Sequence, residues 1–276
     1  MRPETATPPK IELASIYKSF DVNGSPESVL EDVNIVAGAG EFVSVIGPSG
    51  CGKSTLLNII AGLEDADAGS VMLDGDVHRQ RLGQRLGQIG YMQQKDLLLP
   101  WRSVLDNTIM GLELNGSSRK DARTRALDLM ETFGLKGFER QYPFALSGGM
   151  RQRAAFMRTM LLDQEVILLD EPFGALDALT RVQMQEWLME LWDSMKKTIV
   201  LITHDVDEAL LLSDRVYVLT ARPARVKLVL DVGLGRPRSY QAVTTPEFVE
   251  LKAQLLATLY EENSRQTMGR AGESAR

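Results

Sequence analysis

The chain has 276 residues, 44% hydrophobic and 25% charged, a composition that suits one large globular domain or two small ones. A formal net charge of −6 argues against a sequence-nonspecific nucleic-acid binder, which would carry a basic excess. Cys51 is the single cysteine, so no internal disulfide framework is possible, and no apolar stretch approaches the roughly 20 residues a membrane span needs.

In chain order, residues 1–10 read as a disordered lead-in, rich in Pro and Thr, with no apolar signal core. Ile11 to Tyr17 alternates as a half-exposed strand, and Asp21-Val22-Asn23-Gly24 is a turn signal. Val29 to Val36 reads as a second strand, and Phe42 to Ile46 as a third, buried one. Leu56 to Ala61 opens a helix, Ala68-Gly69-Ser70 marks a turn, and Val71 to Leu73 is a short strand before Asp74-Gly75-Asp76. From about 95 to 162 the pattern turns helical. Ser117 or Ser118 caps a helix through Asp121 to Phe133, with Ala122, Ala126, Leu129, Met130 and Phe133 on its core face and Gly134 at its end. A helix follows Gly149 from Met150 to about Leu162.

The α/β pattern then returns. Val166 to Leu169, Thr198 to Thr203 and Arg215 to Leu219 read as buried strands, separated by helices at about Ala178 to Met195 and Asp207 to Ser213. Such alternation implies a parallel sheet with helices on both faces. Pro246 opens a last helix with Phe248, Leu251, Leu255 and Leu259 on its apolar side, and residues 264–276 read as a disordered tail.

Three stretches carry chemistry. Gly47-Pro48-Ser49-Gly50-Cys51-Gly52-Lys53-Ser54-Thr55 lies between a buried strand and a helix, the context a phosphate-binding loop requires. Its glycines let successive N–H groups form an anion nest, and the helix adds its positive end. Lys53 reaches the outer phosphates and the Ser54 hydroxyl suits Mg²⁺; Cys51 reads as a small filler, not a redox group. Asp170-Glu171 follows the strand Val166 to Leu169, at the edge where open α/β sheets bind ligands. Asp170 suits Mg²⁺, usually through water, and Glu171 suits a general base for an attacking water. His204 ends the next strand at the same edge, in reach of a γ-phosphate and of Glu171. A second glycine-rich loop, Leu146-Ser147-Gly148-Gly149-Met150-Arg151-Gln152, also precedes a helix. One nucleotide does not need two such loops, so this one is expected to cap a nucleotide bound to another subunit.

With these motifs in place, the chain resembles the ATP-binding subunit of ABC transporters from about Ile11 to Arg225. Gly47 to Thr55 is similar to the Walker A motif, Val166 to Glu171 to Walker B, and Leu146 to Gln152 to the ABC signature. The resemblance implies a P-loop NTPase core with a mostly parallel sheet, an antiparallel β subdomain and a helical subdomain carrying the signature. It implies an ATP-binding domain over 11–235 and a helical extension over 236–263. By the same resemblance Gln93 is the glutamine that joins the metal site to the permease-docking segment, Ala175-Leu176-Asp177 the D-loop, and His204 the switch histidine. Phe20 takes the place of the aromatic that stacks on adenine, with Tyr17 as the other candidate. The implied protein is an ATP hydrolase using Mg²⁺. Two copies close face to face, each ATP lying between one Walker A and the opposite signature loop. Transmembrane permease subunits, an extracytoplasmic solute-binding protein and the cytoplasmic face of the inner membrane follow from the same source.

Leu98-Leu99-Pro100-Trp101, Met150, Glu171 to Asp177, and Asp214-Arg215 with Ala221-Arg222-Pro223 are similar to the nitrate/sulfonate/taurine import group. Gln94 to Arg102 leans toward its thiamine-precursor pyrimidine members. Ala154 to Met160 and Gln164 depart from the family pattern, away from the phosphate chemistry. The alternative class is a soluble ABC-type ATPase not coupled to transport. The tandem domains or coiled-coil insertions usual there are missing from this sequence.

Overall fold

Phe42–Ile46 is buried at every position and sits inside a six-stranded sheet in the computed structural model. The structure describes residues 8–78 and 85–273. Strands β1 (Ile11–Val22) and β2 (Ser25–Ala37) pair antiparallel around Asn23-Gly24, both with positive φ, as a tight hairpin turn demands. Strand β3 (Phe42–Ile46) leads through the glycine-rich loop into helix α1 (Lys53–Ala61). Strands β4 (Ala68–Leu73) and β5 (Asp76–His78) complete a four-stranded antiparallel sheet of order β2-β1-β4-β5.

Strand β6 (Ile89–Met92) precedes four helices that form a separate layer: α2 (Val104–Thr108), α3 (Met110–Leu114), α4 (Arg119–Leu129) and α5 (Gly148–Met160). The chain then returns through β7 (Val166–Asp170), α6 (Ala178–Met195), β8 (Thr198–Ile202), α7 (Val206–Leu212), β9 (Arg215–Leu219), β10 (Val226–Asp231) and α8 (Pro246–Glu273). The large sheet has the order β10-β9-β3-β8-β7-β6, parallel except for β10 at one edge. Because β3 lies between β8 and β9, its loop opens at the strand ends where the chain order switches, the place where such sheets bind ligands.

The continuous apolar runs are explained by two cores, one on each face of this sheet. Phe42, Ile46, Ile167, Leu169, Ile199 and Leu201 face the core shared with α4, α5, α6 and α8. Val43, Val45, Val166, Leu168, Val200 and Ile202 face the core shared with α1 and the antiparallel sheet. Every residue of β3, β7 and β8 is therefore buried, on one side or the other.

The structure differs from the sequence reading in several elements. Ala68-Gly69-Ser70 opens β4 instead of forming a turn. Gly69, at φ +96°, sits where the β1–β4 register shifts between Ala14 and Tyr17. Helix α4 stops at Leu129, although Ala122, Ala126, Met130 and Phe133 all reach the core; Gly134 and Leu135 close the end by bonding Glu131 and Met130 carbonyls. Ser118, not Ser117, caps α4, accepting from the Asp121 amide at 3.2 Å. Lys10 is not part of a free lead-in. It is buried, its ammonium bonds Asp74 at 2.9 Å and also Glu165, and its carbonyl accepts from the Asp74 amide, so only residues 1–7 of that stretch lie outside the described residues. The final helix runs to Glu273, past position 263; its only proline is at its first residue, so nothing in the chain forces an earlier stop. Phe248 and Leu255 of α8 are fully buried in the main core, so the extension is packed onto the body of the domain.

Candidate active site

The phosphate loop is built for an anion. Helix α1 starts after Gly52 with no side-chain cap, which leaves its first amides for a ligand. Gly52 sits at φ +122°, and a Cβ there would fall 2.8 Å from Val29 Cγ1, so only glycine lets β2 pack this close to the loop. Lys53 is buried, and its ammonium donates to the carbonyls of Gly47 at 2.9 Å and Pro48 at 3.0 Å. Ser49, Gly50 and Ser54 are exposed, Thr55 is half-buried, and Gly47, Pro48 and Cys51 are buried. Burial pushes the Cys51 thiol above its ordinary range, which suits a packing group better than a reactive thiolate.

Strand β7 delivers Asp170 and Glu171 beside this loop. Asp170 is buried, and burial raises its pKa; the Ser54 hydroxyl, Lys53 and Tyr91 work against that rise, while Glu171 adds to it. The Tyr91 hydroxyl also donates to Asn58 of α1 at 3.2 Å, and burial first, then Asp170, hold it above its ordinary range. A carboxylate that meets Ser54 at the loop's end is the oxygen pair a hard divalent cation takes, so these residues fit Mg²⁺.

Glu171 has φ +44°, rare for a residue with a side chain, and its amide is fixed by the Ile202 carbonyl at 2.9 Å. Two groups reach the same carboxylate oxygen, Oε2. Gln94 Nε2 donates to it at 3.1 Å, and His204 Nδ1 lies 3.4 Å away. Gln94 thus touches the Glu171 carboxylate, while Gln93, the glutamine expected beside the metal, is exposed in the turn just after β6 ends at Met92.

His204 is exposed, held between Thr203 at the end of β8's ladder and Asp205, which caps α7 by accepting from the Asp207 and Glu208 amides. Asp177 caps α6 by accepting from the Thr180 amide at 3.0 Å, and the Thr180 hydroxyl first, then that amide, hold its carboxyl below the usual range. Ser147 caps α5, accepting from the Met150 amide at 3.2 Å; it is exposed, Gly148 half-buried and Gly149 buried. A Cβ on Gly149 would lie 2.8 Å from the Thr180 methyl, so the start of α5 rests directly on the first turn of α6. Phe20 and Tyr17 of β1 are both partly exposed, and the Lys18 ammonium stands 5.0 Å over the Phe20 ring. Contacts thus gather Lys53, Ser54, Asp170, Glu171, Gln94 and His204 into one cluster, whereas among the described residues Ser147 and Asp177 bond their own helix starts.

A strand, a phosphate loop and a helix, with acids at the end of β7 one strand further along the sheet, define a P-loop nucleotide hydrolase. Comparison with known proteins narrows the class. The family model for the ABC transporter matches residues 30–174. The aliphatic sulfonates import ATP-binding protein of Bacillus licheniformis is 44% identical over 239 residues, covering 87% of this chain and 90% of that protein. The formylaminopyrimidine import ATP-binding protein of Halalkalibacterium halodurans is 42% identical over 256 residues, covering 92% and 99%. A dimeric ATP-binding cassette solved in a post-hydrolysis state with ADP and Pi superposes with a TM-score of 0.72 at 30% identity, covering 82% of this chain and all of that one. The chain belongs to the ABC transporter family and is an ATP-binding, ATP-hydrolysing cassette. Among the described residues, no helix is long and apolar enough to cross a membrane.

Proposed function

We propose that the chain is the energy-coupling ATPase of an importer for a small solute, of the nitrate, sulfonate or taurine type or a pyrimidine precursor. It works as a homodimer at the cytoplasmic face of the inner membrane, docked on transmembrane permease subunits that receive solute from an extracytoplasmic binding protein. The names of its relatives, import subunits for aliphatic sulfonates and formylaminopyrimidine, support the import reading. The solved dimer of a similar cassette supports the pairing.

In this reading the amides of Gly47 to Thr55 and the Lys53 ammonium receive the ATP phosphates, and Phe20 stacks on the base. Ser54, Asp170 and Gln93 would hold Mg²⁺. The ion, when bound, neutralises charge between the outer phosphates. Glu171 takes a proton from the attacking water, and His204 and Gln94 hold its carboxylate in line. Ser147, Gly148, Gly149 and the positive end of α5 complete the site of the opposite copy, where Asp177 also lies.

The observation that carries the proposal is Glu171, whose Oε2 is met by both Gln94 and His204 next to the Asp170–Ser54 pair. The test is the solution mass of Glu171→Gln with Mg²⁺, with and without ATP. Removing the base should trap an ATP-dependent dimer, and Ser147→Arg should abolish it. A variant that binds ATP yet stays monomeric would count against the paired-site mechanism.

A further inference from the structure

The loop between β9 and β10 reaches both halves of the nucleotide site. Arg222 in this loop donates from Nε to the carbonyl of Gly50, at the exposed tip of the phosphate loop, at 2.6 Å. Its Nη1 donates to the Glu27 carboxylate at 2.8 Å. Glu27 lies on β2 directly opposite Phe20 on β1. One guanidinium thus joins the loop expected to hold the phosphates to the strand pair expected to hold the base. Its planar fork makes two charge-assisted bonds in fixed directions, which a flexible ammonium does not reproduce.

Further stitches keep this loop against β2. The Ala224 amide donates to the Val29 carbonyl at 2.8 Å, the Ala224 carbonyl accepts from the Glu31 amide at 2.9 Å, and Arg225 Nη2 donates to Glu31 at 2.5 Å. Val29 and Leu30 in turn press on Gly52. Gly50 has φ +74°, and among the described residues nothing packs within 4 Å of where its Cβ would lie. Because the C=O and N–H of a trans peptide point opposite ways, holding the Gly50 carbonyl toward Arg222 turns the Cys51 amide the other way. There it bonds the Pro48 carbonyl at 3.3 Å, the same oxygen that Lys53 bonds at 3.0 Å. Arg222 therefore sets the direction of one of the loop's amides from outside the loop.

We propose that Arg222 is a positioning residue of the nucleotide site: it clamps Gly50 of the phosphate loop to Glu27 opposite Phe20, so that the base and phosphate ends of ATP are bound as one unit. The inference rests on the nucleotide-binding reading of the site given above.

The experiment is calorimetric binding of Mg-ATP and of Mg-tripolyphosphate to the full chain. The proteins are wild type, Arg222→Ala, Arg222→Lys, Glu27→Gln, Phe20→Ala and the Phe20→Ala/Arg222→Ala double variant. Arg222→Ala is expected to weaken ATP binding about tenfold, the worth of a lost charged hydrogen bond, with Arg222→Lys and Glu27→Gln in between. The specific readout is the coupling. Phe20→Ala should cost markedly less in the Arg222→Ala background than alone, and should leave tripolyphosphate binding unchanged. Single effects on ATP that multiply to within about twofold in the double variant would overturn the clamp, as would unchanged ATP affinity in both Arg222→Ala and Glu27→Gln. A wild-type chain that binds neither ligand would instead overturn the nucleotide reading on which the inference rests. If Arg222→Ala does not fold, Glu27→Gln replaces it in the double variant with Phe20→Ala, and the same coupling decides.

Discussion

Glu208 makes the stability of this protein depend on pH in a direction opposite to that of most carboxylates. It lies in the first turn of α7, only 3% exposed. Gln185 of α6 donates to its Oε2 at 3.3 Å, and among the described residues its Oε1 has no hydrogen-bond partner. Burial first, then the Asp205 carboxylate, push its pKa up to about 8, against the hydrogen bonds from Gln185 and Thr203 and the charge of Arg181. Between the ordinary glutamate range and about pH 8 the folded chain keeps a proton that the unfolded chain releases. Stability is therefore fully present at low pH and falls as pH rises through this window. At pH 7 the loss is on the order of 3 kcal/mol, from about 1.36 kcal/mol per pH unit above the ordinary glutamate value. Glu208→Gln keeps an oxygen for Gln185 and cannot ionise, so its stability should lack this slope. The assay is urea unfolding of both proteins from pH 5 to 8.5, following the difference in midpoint, in which every other titrating group cancels. The variant should gain on the wild type as pH rises and level off above about pH 8. A constant difference across the series would refute the buried, proton-holding carboxyl.

Two further outcomes follow from the packing and the site. Gln94→Ala should slow ATP hydrolysis by about tenfold with ATP affinity nearly kept, since a hydrogen bond to the base is lost, as a steady-state assay would show; unchanged turnover would mean that His204 alone holds Glu171. Phe133→Ala should cost about 3–5 kcal/mol in chemical unfolding, because its fully buried ring contacts Phe156 and Trp187 at centroid distances of 6.3 and 5.3 Å; a loss below about 1 kcal/mol would mean that the helical layer closes over the cavity.

What the sequence revealed depended on how local the controlling physics is. Strands β3, β7, β8 and β9 were legible because both faces of the sheet are covered, which turns each strand into an unbroken apolar run. The phosphate loop and the Asp170-Glu171 pair were legible because glycine spacing and strand-end acids are themselves the chemistry. Edge strands were not: β10 alternates half-buried and exposed positions, and β6 contains Gly90, so neither has the run that marks its neighbours. The site's remaining parts were invisible for a different reason. Gln94 and Arg222 act across 77 and 172 positions of chain, on Glu171 and on Gly50. Their partners are set by where a turn or an edge loop comes to rest. A residue of this kind has no periodicity or motif of its own; its function exists only in the contact. The same reasoning separates the two glycine-rich loops: both announce themselves locally as anion sites, but only the one beside Asp170 and Glu171 acquires a hydrolytic apparatus from its own chain, while the other has its helix start capped by Ser147.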